Sequence, residues 1–504
     1  MEYRNPVLPG FYPDPSVCKY EDTYYMVNST FQYFPGVTLF MSKDLINWKQ
    51  IGHVLTRKSQ LNLAHAGNSG GIFAPTIRCH NGRFYMVTTN VSDIGNFYVW
   101  TDDIYGEWSD PIKIEQDGID PSFYFEGNTC YFMSNGTDET GNSGVVQCEI
   151  DIKTGKVLTP KRLIWKGTGG RYLEGPHLYK IENTYYLLAA EGGTEYGHMV
   201  VCAKGPTPYG PFEGMKSNPV LTNRNLGGYE IQGCGHGDLV QDCEGNWWML
   251  HLAFRQIDRW MMYHVTGRET YLMPVTIEED GTLKVGEDGT TPCFVRTDRF
   301  PENFQKEKRM CYTFDNMSKD REWSFLRNPQ MNKYSFLKKR MELLGTTDKL
   351  VQKDGSPTFV GVRQCEMYGK ISVKVLVQEE EAGVCLYMDH MHHYDFAVKK
   401  KKDRLQIIKR ICIGDVQWEQ EHISIKDNGD GVWLCIKINP LSYAFEAVYQ
   451  GQTCTFGANQ SRYLSTEVAG GFTGVMIALY AQSDYADCQK PAVFEDFCYQ
   501  CDIE

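Results

Sequence analysis

The chain has no long uncharged apolar run, so no stretch is expected to cross a bilayer as a helix. It also lacks an apolar core segment behind its first residue. Met1-Glu2-Tyr3-Arg4-Asn5-Pro6 leads straight into the first structured phrase, and no secretory leader is expected. Positive charge is in deficit: 51 Lys and Arg stand against 63 Asp and Glu, a net charge of -12. That balance argues against nucleic acid or an anionic membrane as partner and suits a neutral ligand. An even, clustered cysteine framework is absent too, because the 17 cysteines are odd in number and scattered over both halves. In a long chain without an export signal they read as reduced thiols, and the expected compartment is the cytoplasm.

What is present is aromatic and repetitive. Aromatic residues make up 13% of the chain, and they gather in short runs broken by turn residues, the pattern of β-hairpins. One phrase recurs. Pro13-Asp14-Pro15-Ser16 leads through Glu21-Asp22 into Tyr24-Tyr25-Met26-Val27. Ala74-Pro75-Thr76-Ile77, Asp120-Pro121-Ser122-Phe123, Glu174-Gly175-Pro176-His177 and His236-Gly237-Asp238-Leu239 each open a similar hairpin. A drifting repeat of roughly 45 to 60 residues predicts an irregular five-bladed β-propeller over residues 1–300.

From Glu287 to Met310 the pattern loosens into a linker or wrapping segment. Residues 311–504 show short alternating strands, such as Ile371-Ser372-Val373-Lys374-Val375, and predict a β-sandwich. The fold class is therefore all-β. Trp48, Trp108 and Trp165 follow polar turns and read as packing between blades. The Lys399–Lys402 run reads as a solvated hairpin turn, and His390, His392 and His393 as a polar turn rather than a metal site. Cys498 and Cys501 read as neighbouring strand positions rather than zinc or redox ligands.

The repeat points to the chemistry. Each inner strand of a propeller runs along the central channel, so equivalent residues at the strand starts converge at one mouth. Here they are Asp14, Ala74, Asp120, Glu174 and His236. Crowded carboxylates raise one another's pKa, so one group can stay protonated while another is ionised. Glycoside hydrolysis needs that division: an acid for the leaving oxygen and a base for water. The rival reading is that Asp-Pro merely opens turns, which explains one acid more readily than three in register.

Longer segments resemble glycoside hydrolase family 43. They are Asn5-Pro6-Val7-Leu8-Pro9-Gly10-Phe11-Tyr12-Pro13-Asp14, Gly71-Ile72-Phe73-Ala74-Pro75, Gly118-Ile119-Asp120-Pro121-Ser122 and Gly169-Gly170-Arg171-Tyr172-Leu173-Glu174-Gly175-Pro176-His177. Glu191-Gly192-Gly193-Thr194-Glu195 and Gly267-Arg268-Glu269-Thr270 extend the likeness. Trp323-Ser324-Phe325-Leu326-Arg327-Asn328-Pro329 resembles the concanavalin-like jelly roll of the β-xylosidase branch.

The resemblance implies inverting, exo-acting release of terminal β-D-xylose or α-L-arabinofuranose from oligosaccharides, without a cofactor in the chemistry. Asp14 would be the general base, Glu174 the general acid and Asp120 the residue that orients the acid and tunes its pKa. Arg268, Phe31, Phe73 and His236 would contact the sugar, and His236 is the one candidate beside a structural calcium. Base and acid should stand about 6.5–9.5 Å apart, leaving room for water. Glu191, Glu195 and Glu230 are rival acids outside the repeat register, and His198 is a candidate support. Two other functions stay open: a non-catalytic sugar-binding propeller, and a retaining five-bladed fructosidase. The oligomeric state is open as well, a homo-oligomer being compatible with the sequence.

Overall fold

The computed structural model describes residues 2–300 and 311–502. Five antiparallel sheets of four strands each form the first body. Their inner strands are Ser16–Tyr20, Thr76–His80, Ile119–Glu126, Glu174–Ile181 and Ile231–Gln241. Each touches the next, and the last touches the first, so the ring is closed. We number the blades I to V in that order.

Each recurring phrase makes the two inner strands of one blade. Residues with left-handed backbone turn the chain between them: Glu21, Asn81, Gly127, Glu182 and Gly245. The returning strands are apolar on both faces. Thr23–Asn28 is buried throughout, because Tyr24 and Met26 pack against blade V on one face and Tyr25 and Val27 against blade II on the other. Trp108 and Trp165 are buried in such inter-blade cores, and Trp48 is half-buried with its indole N–H on Leu45 O at 2.8 Å. Glu2–Arg4 pairs with Phe294–Arg296, joining the two ends of the propeller. Of the expected linker, residues 301–310 lie outside the described residues.

One buried ion pair ties four blades together beneath the channel mouth. Asp238 of blade V accepts two hydrogen bonds from the Arg78 guanidinium of blade II, at 2.8 and 3.0 Å. It also accepts from Ser16 Oγ and Val17 N of blade I, at 2.7 and 2.9 Å, and from the Tyr179 hydroxyl of blade IV. These donors outweigh burial and hold Asp238 ionised, well below the usual carboxylate range.

The second body is a sandwich of two antiparallel sheets with a large apolar core between them. The sheet nearer the propeller runs in the order 416–426, 404–413, 392–401, 381–389, 476–482, 358–363, 324–326, 33–34. Its last strand, Tyr33–Phe34, belongs to blade I and pairs with Ser324–Leu326. A further core joins the bodies: Phe11, Phe31 and Tyr33 pack against Phe359, Tyr387, Met476 and Tyr480.

The lysine run does sit at a hairpin, between His392–Lys401 and Arg404–Ile413. The histidine reading holds for His390, which lies in the turn after Glu381–Asp389, and needs correction for the other two. His392 and His393 open a strand and are buried, because each pairs with an acid: His393 Nδ1 donates to Asp395 at 2.7 Å, and His392 lies 3.0 Å from Asp389. Asp395 also takes Arg410 at 2.7 Å, so this cluster with Cys385 is an ion-pair network. Cys498 and Cys501 share one strand, as expected, and approach Cys311 and Cys365 respectively, each at 3.3 Å.

Candidate active site

The inner strands begin irregularly, and that irregularity aims the site. Asp14, Asp120 and His236 all adopt left-handed backbone, with φ of 52°, 54° and 50°. Register shifts fall at Asp120-Pro121, at Gly175-Pro176 and around His236. Such bulges bend the strand and re-aim a side chain, here toward the mouth. Proline removes the ladder donor at two of them, so the bulge costs little pairing.

Asp14 is buried, with 4% of its surface exposed. Ser29 Oγ donates to its Oδ2 at 2.5 Å, and Arg268 Nη1 donates to its Oδ1 at 3.0 Å. His236 Nδ1 lies 3.9 Å from the same oxygen. Burial pushes the Asp14 carboxyl up, but Arg268, His236 and the Ser29 bond together outweigh it and leave it below the ordinary value. Asp14 is therefore ionised at neutral pH.

Glu174 behaves in the opposite sense. Burial first, then the Asp14 charge, push its carboxyl up to about 7, against the pull of Arg268. Asp120 is raised as well, by burial and by the charges of Glu174 and Asp14. The two acids titrate as a pair, and near neutrality that pair holds a proton. One pocket therefore carries an ionised carboxylate and a protonated acid side by side.

Aromatic rings gather around Arg268, the partner of Asp14. Phe31 is buried and Phe73 partly so, with ring centroids 5.4 Å apart. A third ring comes from the sandwich. Phe472 stacks on Phe31 at 5.8 Å and meets Phe73 edge-on at 6.0 Å. The Arg268 guanidinium packs beside this stacked pair, 5.8 and 5.6 Å from the Phe31 and Phe472 centroids, and reaches Thr194 Oγ1 at 2.8 Å. Ser69 Oγ receives the Phe472 N–H at 2.8 Å. Sequence reasoning passed over Ser29, Ser69, Thr194 and Phe472. Only Phe472 left a signal, a single aromatic in the glycine-rich turn Gly470-Gly471-Phe472-Thr473-Gly474.

The rival acids are accounted for. Glu191 is fully buried and accepts from Thr168 N at 2.6 Å, Thr168 Oγ1 at 2.5 Å and Gly170 N at 3.3 Å. It pins the loop that ends at Glu174. A Cβ at Gly167 would stand 2.0 Å from Glu191 Oε1, so only glycine lets the loop close on it. Glu195 pairs with Arg171 at 2.6 Å, and Glu230 takes the Cys293 thiol. His198 is buried near Asp14 and His236; burial first, then His236 and Arg268, lower it to about 3 against the opposing pull of Asp14.

The surroundings of His236 do not fit a calcium cage, which wants six to eight oxygen ligands. Asp14 is already taken by Arg268 and Ser29, and a second guanidinium, Arg78, stands below. His177, whose ring is 6.1 Å from His236, accepts from Arg78 at Nδ1. Its Nε2 therefore carries the proton and, unpartnered, offers a donor rather than a lone pair.

Residues 3–283 match the profile of glycosyl hydrolases family 43. The chain belongs to that family. Residues 311–500 match the β-xylosidase C-terminal concanavalin A-like domain. The family 43 chain is 36% identical to the non-reducing end α-L-arabinofuranosidase BoGH43B of Bacteroides ovatus, over 99% of this chain and 95% of that protein. It is 36% identical to a xylosidase/arabinosidase of Butyrivibrio fibrisolvens, over 95% and 96% of the two chains. Its fold superposes on the solved Bacteroides ovatus Xyloglucan PUL GH43B with a TM-score of 0.91, at 36% identity, covering 99% of this chain and 100% of that one. The five-bladed propeller and the jelly-roll sandwich expected from the sequence are the fold of this glycosidase.

Proposed function

We propose that this family 43 enzyme removes single terminal pentoses, α-L-arabinofuranose or β-D-xylose, from short oligosaccharides with inversion at the anomeric carbon. One observation carries the reading. Two carboxyls of one pocket are displaced in opposite directions, Asp14 downward and Glu174 up to about 7. That split supplies a base for water and an acid for the leaving oxygen at the same pH. A protein that only binds sugar has no use for it, since crowded buried carboxyls cost desolvation without return.

In this reading Asp14 takes a proton from a water on the far face of the sugar. Glu174 gives its proton to the glycosidic oxygen as the bond to the anomeric carbon breaks. Asp14 keeps Glu174 protonated through its charge, Asp120 orients the acid and shares its proton, and Arg268 keeps Asp14 ionised. Phe31, Phe73 and Phe472 exclude water from the sugar and close one side of the pocket, which favours a chain end over a mid-chain residue. The printed names of the relatives, an arabinofuranosidase and a xylosidase/arabinosidase, support both pentoses as candidates. Parallel assays on aryl α-L-arabinofuranoside and aryl β-D-xyloside test the reading, with the first-formed anomer followed by NMR. Hydrolysis of at least one, with inverted product, is expected; turnover of neither, or retained configuration, would overturn it.

A further inference from the structure

Outside the pocket proper, one exposed aromatic is held in a fixed pose close to the acid. Tyr172 stands two residues before Glu174 and is 60% exposed, yet its backbone is left-handed at φ 55° and its loop is tightly fastened. The fastening is Glu191, described above, together with Gly192 N on Arg171 O at 2.9 Å. Arg171 then fixes the ring itself. Its guanidinium lies 5.2 Å from the Tyr172 centroid and is held from behind by Glu195 at 2.6 Å and by Gly192 O at 3.3 Å. The opposite loop leaves space for this arrangement. A Cβ at Gly193 would come 3.0 Å from Arg171 Nη2 and 3.3 Å from Tyr172 Cδ2. The next residue is Thr194, which holds Arg268, so the ring borders the catalytic pocket.

A phenol ring left mostly in water while its loop, its neighbouring cation and the facing backbone are all fixed is poorly explained by core packing. Aromatic side chains present a large flat apolar face with few torsions to lose, which suits the C–H face of a sugar ring. The side of the pocket is set by chemistry. A general acid protonates the oxygen between the bound sugar and its leaving group, so the segment carrying the acid borders the leaving group. We infer that Tyr172 is the platform for the leaving-group sugar, a neutral pyranose or furanose ring, and so a determinant of which oligosaccharides are cut. This inference rests on the proposed glycosidase reading.

The test compares two substrates of the same terminal pentose: a pentosyl disaccharide, and the methyl pentoside, whose leaving group has no ring. Tyr172→Ala should lower kcat/KM on the disaccharide by about tenfold while shifting the methyl pentoside by no more than about twofold. Tyr172→Phe should behave as wild type on both, since the platform is the ring and not the hydroxyl. An equal loss on both substrates, or an unchanged rate on the disaccharide, would overturn the inference. Thermal unfolding of Tyr172→Ala within about 2 °C of wild type guards against a folding defect, as expected for a surface change. Wild-type protein inert on both substrates would remove the glycosidase reading, and this inference with it. Wild-type turnover combined with an equal loss in the variant would remove this inference alone.

Discussion

Arg268 donates to Asp14 at 3.0 Å while its guanidinium face is covered by Phe31 from the propeller and Phe472 from the sandwich. A single cation thus lowers the Asp14 carboxyl and spans the junction of the two bodies, and its carbonyl partner is Phe472 O at 3.3 Å. Arg268→Met should raise the pKa of Asp14, because burial would act without its main counterweight. The acid limb of the kcat/KM profile should then move to higher pH, with a fall of about 10²-fold or more at the optimum. A profile with an unmoved acid limb would separate Arg268 from the base.

Glu174 is held protonated up to about pH 7, so activity should decline as pH rises through that value. Glu174→Gln should flatten this alkaline limb. It should also cost about 10²–10⁴-fold on a poor leaving group and far less on an activated aryl glycoside, which needs little protonation. Asp14→Asn should be damaging on both, since water activation is lost whichever group departs. Rates on paired substrates, taken across the pH range, check both expectations.

Asp120 is itself raised by burial and by the charges of Glu174 and Asp14, so it is neutral where Glu174 titrates. Asp120→Asn puts one neutral group in place of another, so the alkaline limb should stay within about half a unit while the rate falls through lost orientation of the acid. A limb that moves down by about one unit or more would show that Asp120 carries charge beside the acid at neutral pH.

Glu191 touches no reacting atom in this arrangement and acts through the loop it holds. Glu191→Ala leaves two backbone N–H groups and one hydroxyl of that loop without their acceptor. The expected effect is on kcat more than on KM, about tenfold or more, because the acid is misplaced rather than the sugar lost. Glu191→Gln, which retains an oxygen acceptor, should recover part of the rate. A KM effect alone would point to sugar binding instead.

Arg78 and Asp238 concern stability rather than chemistry. Arg78→Met leaves the Asp238 carboxylate buried without its guanidinium, and breaking such a pair costs about 3–5 kcal/mol. The unfolding midpoint in denaturant should fall accordingly. Loss should be smaller in Arg78→Met/Asp238→Leu, where no charge is stranded.

Much of this was legible in the sequence, for a physical reason. The propeller repeats its turn chemistry, so the Asp-Pro and Gly-Pro bulges of successive blades announce themselves and place Asp14, Asp120 and Glu174 in register. Phe31 and Phe73 came from the family resemblance and not from the repeat. Contacts that depend on how two bodies meet leave no periodic trace: Phe472 and Ser69 lie about 400 residues apart in the chain and touch only because the sandwich sheet docks on blade I. His392 and His393 were misread because their acidic partners, Asp389 and Asp395, look like turn polarity in a linear string. The role of Glu191 was hidden likewise, since an anchor and a spare acid are the same letter.

Tyr33–Phe34 is hydrogen-bonded to Ser324–Leu326, so the accessory body is stitched into the first blade rather than tethered behind the last. Neither half is a free-standing cassette. A recombination or an engineer's cut placed at the obvious linker would sever a continuous sheet and bare the rings of Phe11, Phe31 and Tyr33. Exchange of these halves between relatives must therefore carry both sides of that seam, and the contacts of Phe472 with Phe31 and Ser69 form only with a compatible blade I.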